Sequence, residues 1–342
     1  MYKVKLTPYR PSLGAILGRQ TSGGALTSSD GRYRFYINEP CDEPDFWVVQ
    51  GKGVRKPQTC RVAPANTVLL TTEPASVLIY PRKYTRQFGT VCTCQPGEKH
   101  PNPLFMPPVL PWFVGYERTE DGSIRVTQDY DSLVNAPLPE KKKLISVITS
   151  DKAFTQGHID RIRFVERLKQ HYGDTIDVFG HGIRNFNDKW DVLAPYRYHI
   201  VIENSCEPYY WTEKLGDCYL CGTYPIYCGC TNVGDYFPDG AYTPISLSNF
   251  DAAVATIDRV IAADTYAAAE ATLQECRQLM LHKYNMFDTI ARVLDGLDPN
   301  APKHEHTIRP CHSTDDWHNA WRYAVSRNYY KLKLKATGGV RL

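Results

Sequence analysis

Tyr198-His199-Ile200-Val201-Ile202 is an apolar run that gives way to polar sequence at Glu203. Such a run, cut off by polar residues, reads as a buried strand. Further on, Thr212-Glu213-Lys214 has the form of a helix start, with Thr212 as N-cap, and Gly222 stands where a helix stop is expected. The unit is strand, polar loop, helix. A helix start carries free backbone N–H groups, and Lys214 lies in its first turn, so the residues suit an anion such as a diphosphate. Glu213 beside it suits sugar or ribose hydroxyls. This is nucleotide-sugar chemistry; a capped surface helix with a Glu-Lys pair is the plain alternative.

The rest of the chain is read around that unit. Pro137-Leu138-Pro139-Glu140-Lys141-Lys142-Lys143 is polar and Pro-interrupted, like a linker. Before it lie short β-like runs at Tyr33 to Ile37, Phe46 to Val49, Val68 to Thr71 and Val91 to Cys94, with a helix expected over Ser76 to Arg86. This alternation predicts an α/β domain. After it, strand and helix patterns alternate through Thr243, followed by helical stretches at Ala252 to Ala263 and Tyr266 to about Leu297. Pro299 to Cys311 reads as a second linker and Asp315 to about Arg327 as a final helix. Ligands of open α/β sheets bind outside the C-terminal ends of the strands. Both Asn204 to Lys214 and Ser150-Asp151 fall at such ends, so the two regions are expected to share one site.

Composition narrows the class. A net charge of +3 is too small to argue for nucleic acid. No run of 18 apolar residues exists, and Met1 to Leu6 lacks the apolar region of a signal peptide. A cytoplasmic protein is expected, and its eleven cysteines are read as mostly buried free thiols rather than disulfides or a metal site. Cys218 and Cys221 would sit on the helix that follows Lys214, and Cys228 at the end of the next strand, which does not predict a tetrahedral site. His304, Glu305, His306, Cys311 and His312 fit no standard metal spacing and are read as solvated linker. Asp129-Tyr130-Asp131 has the D-x-D form of some metal-nucleotide sites, a triplet common by chance.

Glu203 to Lys214, with Tyr219 to Gly229 after it, resembles the donor-binding motif of the α-1,3/4-fucosyltransferases, glycosyltransferase family 10, in their soluble bacterial form. That motif has Glu-Asn-Ser/Thr, a gap, a Tyr, two residues and Glu-Lys; Asn204, Tyr210, Glu213 and Lys214 match in type and order. Leu144 to Asp151, Arg161 to Gln170, Ile176 to Gly180 and Lys189 to Tyr198 resemble the preceding elements of the family's donor domain, for a coverage of roughly residues 143 to 290.

The resemblance implies the GT-B fold: two Rossmann-like domains facing across a cleft, with the C-terminal helix a candidate to cross back to the first. Residues 1–140 would bind the acceptor, 141–298 the nucleotide sugar, and 299–342 would be linker and C-terminal helix. It implies an inverting transfer of L-fucose from GDP-fucose to a glycan hydroxyl, O3 of a GlcNAc- or Glc-type residue, in a bacterial surface polysaccharide or lipid-linked glycan. Arg184 and Lys214 would hold the diphosphate, and Asn204 and Glu213 the sugar or ribose hydroxyls. Tyr210 would pack at the donor, and Glu73, in a strand-ending Thr-Thr-Glu-Pro, would be the base. No cofactor is required, and a divalent metal at most stimulates. Trp211 departs from the family's small aliphatic residue and bears on the donor sugar, and Ser150 to His158 departs as well. The alternatives are another NDP-hexose as donor and a nucleotide-sugar binder without transfer activity. The aromatic, basic tail Asn319 to Lys335 is a candidate for contact with an anionic membrane.

Overall fold

The structure, a computed structural model, describes residues 1–151, 155–314 and 317–342, and in the last helix the side chains of 325 and of 328 onward. The chain forms two units. The first is Met1–Pro111, Gln128–Val134 and Leu281–Ala320. It holds β1 (Tyr2–Thr7), β2 (Tyr33–Ile37), β3 (Phe46–Gln50), β4 (Gln58–Val62), β5 (Thr67–Leu70), β6 (Thr90–Thr93) and β7 (Pro103–Phe105), with one-turn helices α1 (Gly14–Leu17), α2 (Arg82–Thr85) and α3 (Tyr130–Val134). The second is Trp112–Thr127, Asn135–Met280 and Trp321–Leu342. It holds the hairpin β8 (Tyr116–Arg118) and β9 (Ile124–Val126), then β10 (Lys143–Ile148), α4 (Gln156–Tyr172), β11 (Ile176–Phe179) and β12 (Tyr196–Ile202). After these come α5 (Glu213–Leu220), β13 (Tyr224–Cys228), β14 (Thr243–Pro244), α6 (Phe250–Ala262), α7 (Thr265–Ala268) and α8 (Glu270–Leu281). The chain then returns to the first unit with α9 (Met286–Leu294) and β15 (His304–Ile308), and ends in α10 (Trp317–Ala336).

Each unit is built on a parallel sheet, the mixed α/β content expected of a GT-B protein. The first runs β2-β1-β3-β5-β6-β7 and the second β11-β10-β12-β13-β14. Parallel sheets are covered on both faces, which is why β12 and β13 carry nearly unbroken apolar sequence. Helix α5 begins where its cap predicts, Thr212 accepting from the Lys214 N–H, and stops before Gly222. Gly222 has φ +60°, and a Cβ there would fall 2.8 Å from Leu138 Cδ2, so the turn tolerates no side chain.

Several expectations need correction. Ser76 to Arg86 forms only the single turn α2. The helix expected over Tyr266 to Leu297 is broken into α7, α8 and α9, because the Asn285 side chain caps a new helix by accepting from Phe287 N–H. Helix α9 then buries Met286, Phe287, Ile290, Ala291 and Leu294 among Val4, Phe35 and Val48 of the first sheet. Each such burial contributes about 1.5–3 kcal/mol. It is therefore α9, with β15, that belongs to the first unit. The described part of α10 packs instead on α4, through Tyr330 and Leu334 against Ile159 and Ile162. The linker expected over Pro299 to Cys311 contains β15, which pairs antiparallel with β4, Thr307 opposite Thr59. The boundary drawn near residue 140 is also more complex, since Trp112–Thr127 groups with the second unit. The final helix runs on to Ala336, with Asp315 and Asp316 outside the described residues.

Candidate functional site

The loop after β12 is held by one buried carboxylate. Glu203 N–H donates to Cys228 O at 2.9 Å, extending the sheet by a residue. Its carboxylate accepts from Thr212 N–H at 2.8 Å and from Thr212 Oγ1 and Lys214 Nζ at 2.9 Å each. The Glu203 side chain is fully buried, so these partners replace the water it has lost. Burial works against the Lys214 ammonium, but Glu203 and then Glu213 outweigh it and raise its pKa. Burial likewise opposes the Glu213 carboxylate, yet Lys214 and Lys189 hold its pKa below the usual value. Both groups are charged at neutral pH.

Around this helix start opens a cavity of about 210 Å³. It is lined by Ile148, Thr149 and Ser150 at the end of β10, Gly180 and His181 after β11, and His199 to Ile202 of β12; Arg161, Phe186, Lys189, Glu213 and Lys214 complete it. It therefore lies at the C-terminal ends of parallel strands. Gly180 (φ +142°) is required, since a Cβ there would lie 1.5 Å from the Thr149 carbonyl oxygen.

Four groups at this site were not singled out from sequence. Glu203 is the first. Arg161, on α4, is 6% exposed; its guanidinium donates to Asn204 Oδ1 at 2.9 Å while its Nε has no hydrogen-bond partner. Lys189 Nζ lies 2.7 Å from the buried Asp217 Oδ2. Burial disfavours the Lys189 ammonium, but Asp217 and Glu213 keep its pKa above the ordinary value. His199 faces Ser146 in the β10–β12 register, and Ser146 Oγ lies 2.7 Å from His199 Nδ1. Burial, with the charge of Lys189, pushes His199 down to about 3, so the ring is neutral at pH 7. The available signal was a polar residue inside an apolar run: Ser146 in Leu-Ile-Ser-Val-Ile and His199 in Tyr-His-Ile-Val-Ile.

The residues selected from sequence fall in different places. Glu213 and Lys214 line the cavity. Asn204 touches it through Arg161, and its Nδ2 lies 3.5 Å from Tyr210 OH. Tyr210 is buried. Arg184 is not among the lining residues; its exposed guanidinium pairs with Asp177 Oδ1 at 3.1 Å and lies 4.6 Å from the Phe179 ring centroid. Trp211 also lies off the cavity lining, its ring against Phe237 at 5.2 Å and Tyr236 at 5.9 Å. Glu73 belongs to the first unit, just past the end of β5; it is half-buried, and its backbone carbonyl accepts from Gln95 Nε2 at 2.8 Å. Asp131 of the D-x-D triplet accepts from Ser22 Oγ and Gly23 N–H, and Asp129 from Ser132 N–H, so both shape turns. Among the described residues no group of three metal-ligating side chains converges. Of the departing segment Ser150 to His158, residues 152–154 lie outside the described residues.

Comparison with known proteins adds to this geometry. An α1,3-fucosyltransferase solved with GDP is 16% identical, with 84% of this chain and 92% of that one covered at a TM-score of 0.46. The same kind of enzyme with GDP-fucose gives 17% identity, 81% and 82% coverage and a TM-score of 0.44. HepE of Anabaena in complex with UDP gives 10% identity, 87% and 100% coverage and 0.47. Residues 138–268 match the family model of glycosyltransferase family 10 (fucosyltransferase), C-terminal part. That match runs from before β10 to the end of α7 and includes the elements that line the cavity.

Proposed function

We propose that the chain is an inverting fucosyltransferase that moves L-fucose from GDP-fucose to a glycan hydroxyl, O3 of a GlcNAc- or Glc-type residue. One observation carries the proposal. At the strand ends of the matched segment, the N-terminus of α5, Lys214 and the buried Arg161, with its partnerless Nε, converge on one cavity. An anion bound there would meet the helix start and two cations. Lys214 and α5 take up charge on the diphosphate as the anomeric C–O bond breaks. Asn204 and Glu213 hold hydroxyls of ribose or sugar, and Tyr210 backs the loop that carries them. Glu73 accepts the proton of the acceptor hydroxyl, whose oxygen attacks the anomeric carbon opposite the leaving diphosphate. Arg184 reaches the diphosphate by exchanging Asp177 for it, which its exposure permits. No cofactor enters this scheme. Trp211 packs on Phe237 and Tyr236, and its bearing on the donor sugar is read out by the nucleotide-sugar panel.

The test is thermal stabilisation of the purified chain by a panel of nucleotides and nucleotide sugars, in EDTA and in Mn²⁺. A ligand at 100 times its Kd adds about 2.7 kcal/mol. GDP and GDP-fucose should stabilise the chain in EDTA; a shift with UDP-sugars alone, or with none, would sink the proposal.

Among the described residues no helix is long and apolar enough to cross a membrane. Peripheral contact has its own support: Val325, Tyr329 and Leu332 are exposed on α10 at helical spacing, beside the exposed Lys331 and Lys335. We place the lipid-linked acceptor there, on the cytoplasmic face. Co-sedimentation with anionic but not neutral vesicles is the expected result, and no binding to either would remove this part of the reading.

A further inference from the structure

We propose that Cys206 and Cys228 are a thiol modification site that closes reversibly to a disulfide on the loop between β12 and α5. Their Sγ atoms lie 3.4 Å apart, so ~1.4 Å of approach makes a bond of ~2.05 Å. The backbone already holds the two segments side by side through Glu203 N–H to Cys228 O. Neither cysteine lines the cavity, and the proposed transfer uses neither.

The pair is asymmetric in the way such chemistry needs. Among the described residues Cys206 is the one exposed cysteine; Cys228 is buried at the end of β13. The Cys228 thiol, donating to Cys206 Sγ, pulls the Cys206 pKa down to about 7 against burial. The same hydrogen bond, followed by burial, pushes Cys228 up. Cys206 is thus the accessible thiolate and Cys228 the resolving thiol. By contrast, Cys218 and Cys221 are fully buried, and burial pushes both pKa values up. Cys230, the nearest in sequence, donates its thiol to Asn232 Oδ1 at 3.2 Å.

The oxidant is a low-molecular-weight disulfide. Cys206 thiolate attacks one of its sulfurs, forming a mixed disulfide and releasing one small thiol. Cys228 then loses its proton and attacks Cys206 Sγ, releasing the second small thiol. Two protein thiols are oxidised, one small disulfide is reduced to two thiols, and the two protein protons end on those thiols. The product ties the segment bearing Asn204 and Tyr210 to the end of β13.

The experiment is to equilibrate the full chain in glutathione buffers of increasing oxidised fraction, quench in acid, alkylate and map the cysteines by mass spectrometry. Cys206 and Cys228 should lose alkylation together, with one midpoint, as a cross-linked peptide pair that dithiothreitol restores. Cys228→Ser should trap glutathione on Cys206, and Cys230→Ser should leave the cross-link unchanged. If Cys228 stays alkylatable at every ratio in the unmutated chain, the site is overturned, whether or not Cys206 takes up glutathione. That readout involves no nucleotide, so it stands or falls apart from the donor reading.

Discussion

The two parallel sheets end in different chemistry. At the C-terminal edge of the first, the buried polar residues are neutral: Thr71 Oγ1 donates to Thr93 Oγ1, Gln50 Nε2 to Val109 O, and Gln95 Nε2 to Glu73 O and Leu78 O. At the same edge of the second, they are ionised: Glu203 with Lys214, Asp217 with Lys189, and Arg161 against Asn204. Amide and hydroxyl pairs fix loops at little desolvation cost. Buried ions cost several kcal/mol each and return that only where partners are well placed. Three buried or half-buried cations around one helix start suit the diphosphate site proposed above, and the half-buried Glu73 just past β5 suits the proposed proton acceptor. On that proposal, one architecture supports two roles through the ionisation of its edge.

The contrast is broken most directly at Glu73. Glu73→Gln should lower transfer by about 10²–10⁴-fold, the range for losing a general base, and leave stabilisation by GDP intact. Retained transfer would return Glu73 to a structural role and leave the first edge without a chemical one. The next largest effect concerns the ionised edge. Lys214→Ala should cut transfer by about 10²–10³-fold and cost about 3–5 kcal/mol of stability, because it leaves Glu203 buried and unpaired. Lys214→Met with Glu203→Gln should recover most of that stability in urea denaturation and none of the transfer. If the pair of changes is no more stable than Lys214→Ala alone, Glu203 is not the group that suffers.

Much of the second unit was legible because its signals are local. Thr212 caps within two residues, Gly222 stops the helix at a positive φ, and β12 is one apolar run. Glu213 and Lys214 were readable for the same reason. What failed was set by distant partners. Strand β1 alternates Lys3, Val4, Lys5 and Leu6, a short half-buried pattern that its pairing with β2 and β3 makes a central strand. Strand β15 is rich in His and Glu, and only its pairing with β4 makes it a strand. Lys141, in what reads as a linker, is half-buried and donates to the carbonyls of Ala194 and Cys221. Arg161 and Lys189 gain meaning only where α4, the approach to β12 and α5 converge, which no spacing in the sequence encodes, and Glu203, though within the motif, shows its anchoring role only once Thr212 and Lys214 fold back onto it.

The smallest expected effect sharpens the contrast by titrating it. His199 lies within the ionised edge and is itself neutral, because burial, with Lys189 beside it, lowers its pKa. Burial brings its pKa to about 3 in the folded chain, against an ordinary value of 6.5. Between those values the unfolded chain binds the extra proton, so stability rises with pH across the window. The contribution is fully present above pH 6.5 and is lost as pH falls toward 3. At ~1.4 kcal/mol per unit, the loss from this one group reaches about 2–3 kcal/mol by pH 4.5. His199→Gln keeps a polar partner for Ser146 and cannot titrate. Urea denaturation of both proteins from pH 7 to 4.5 should therefore give curves that diverge, the unmutated chain falling faster by that amount. Carboxylates titrate in both proteins and cancel in the difference. Parallel curves would mean that water or an acidic neighbour shares the proton with His199. The cavity floor would then be polar enough to carry charge of its own, and the difference between the two sheet edges would be one of degree.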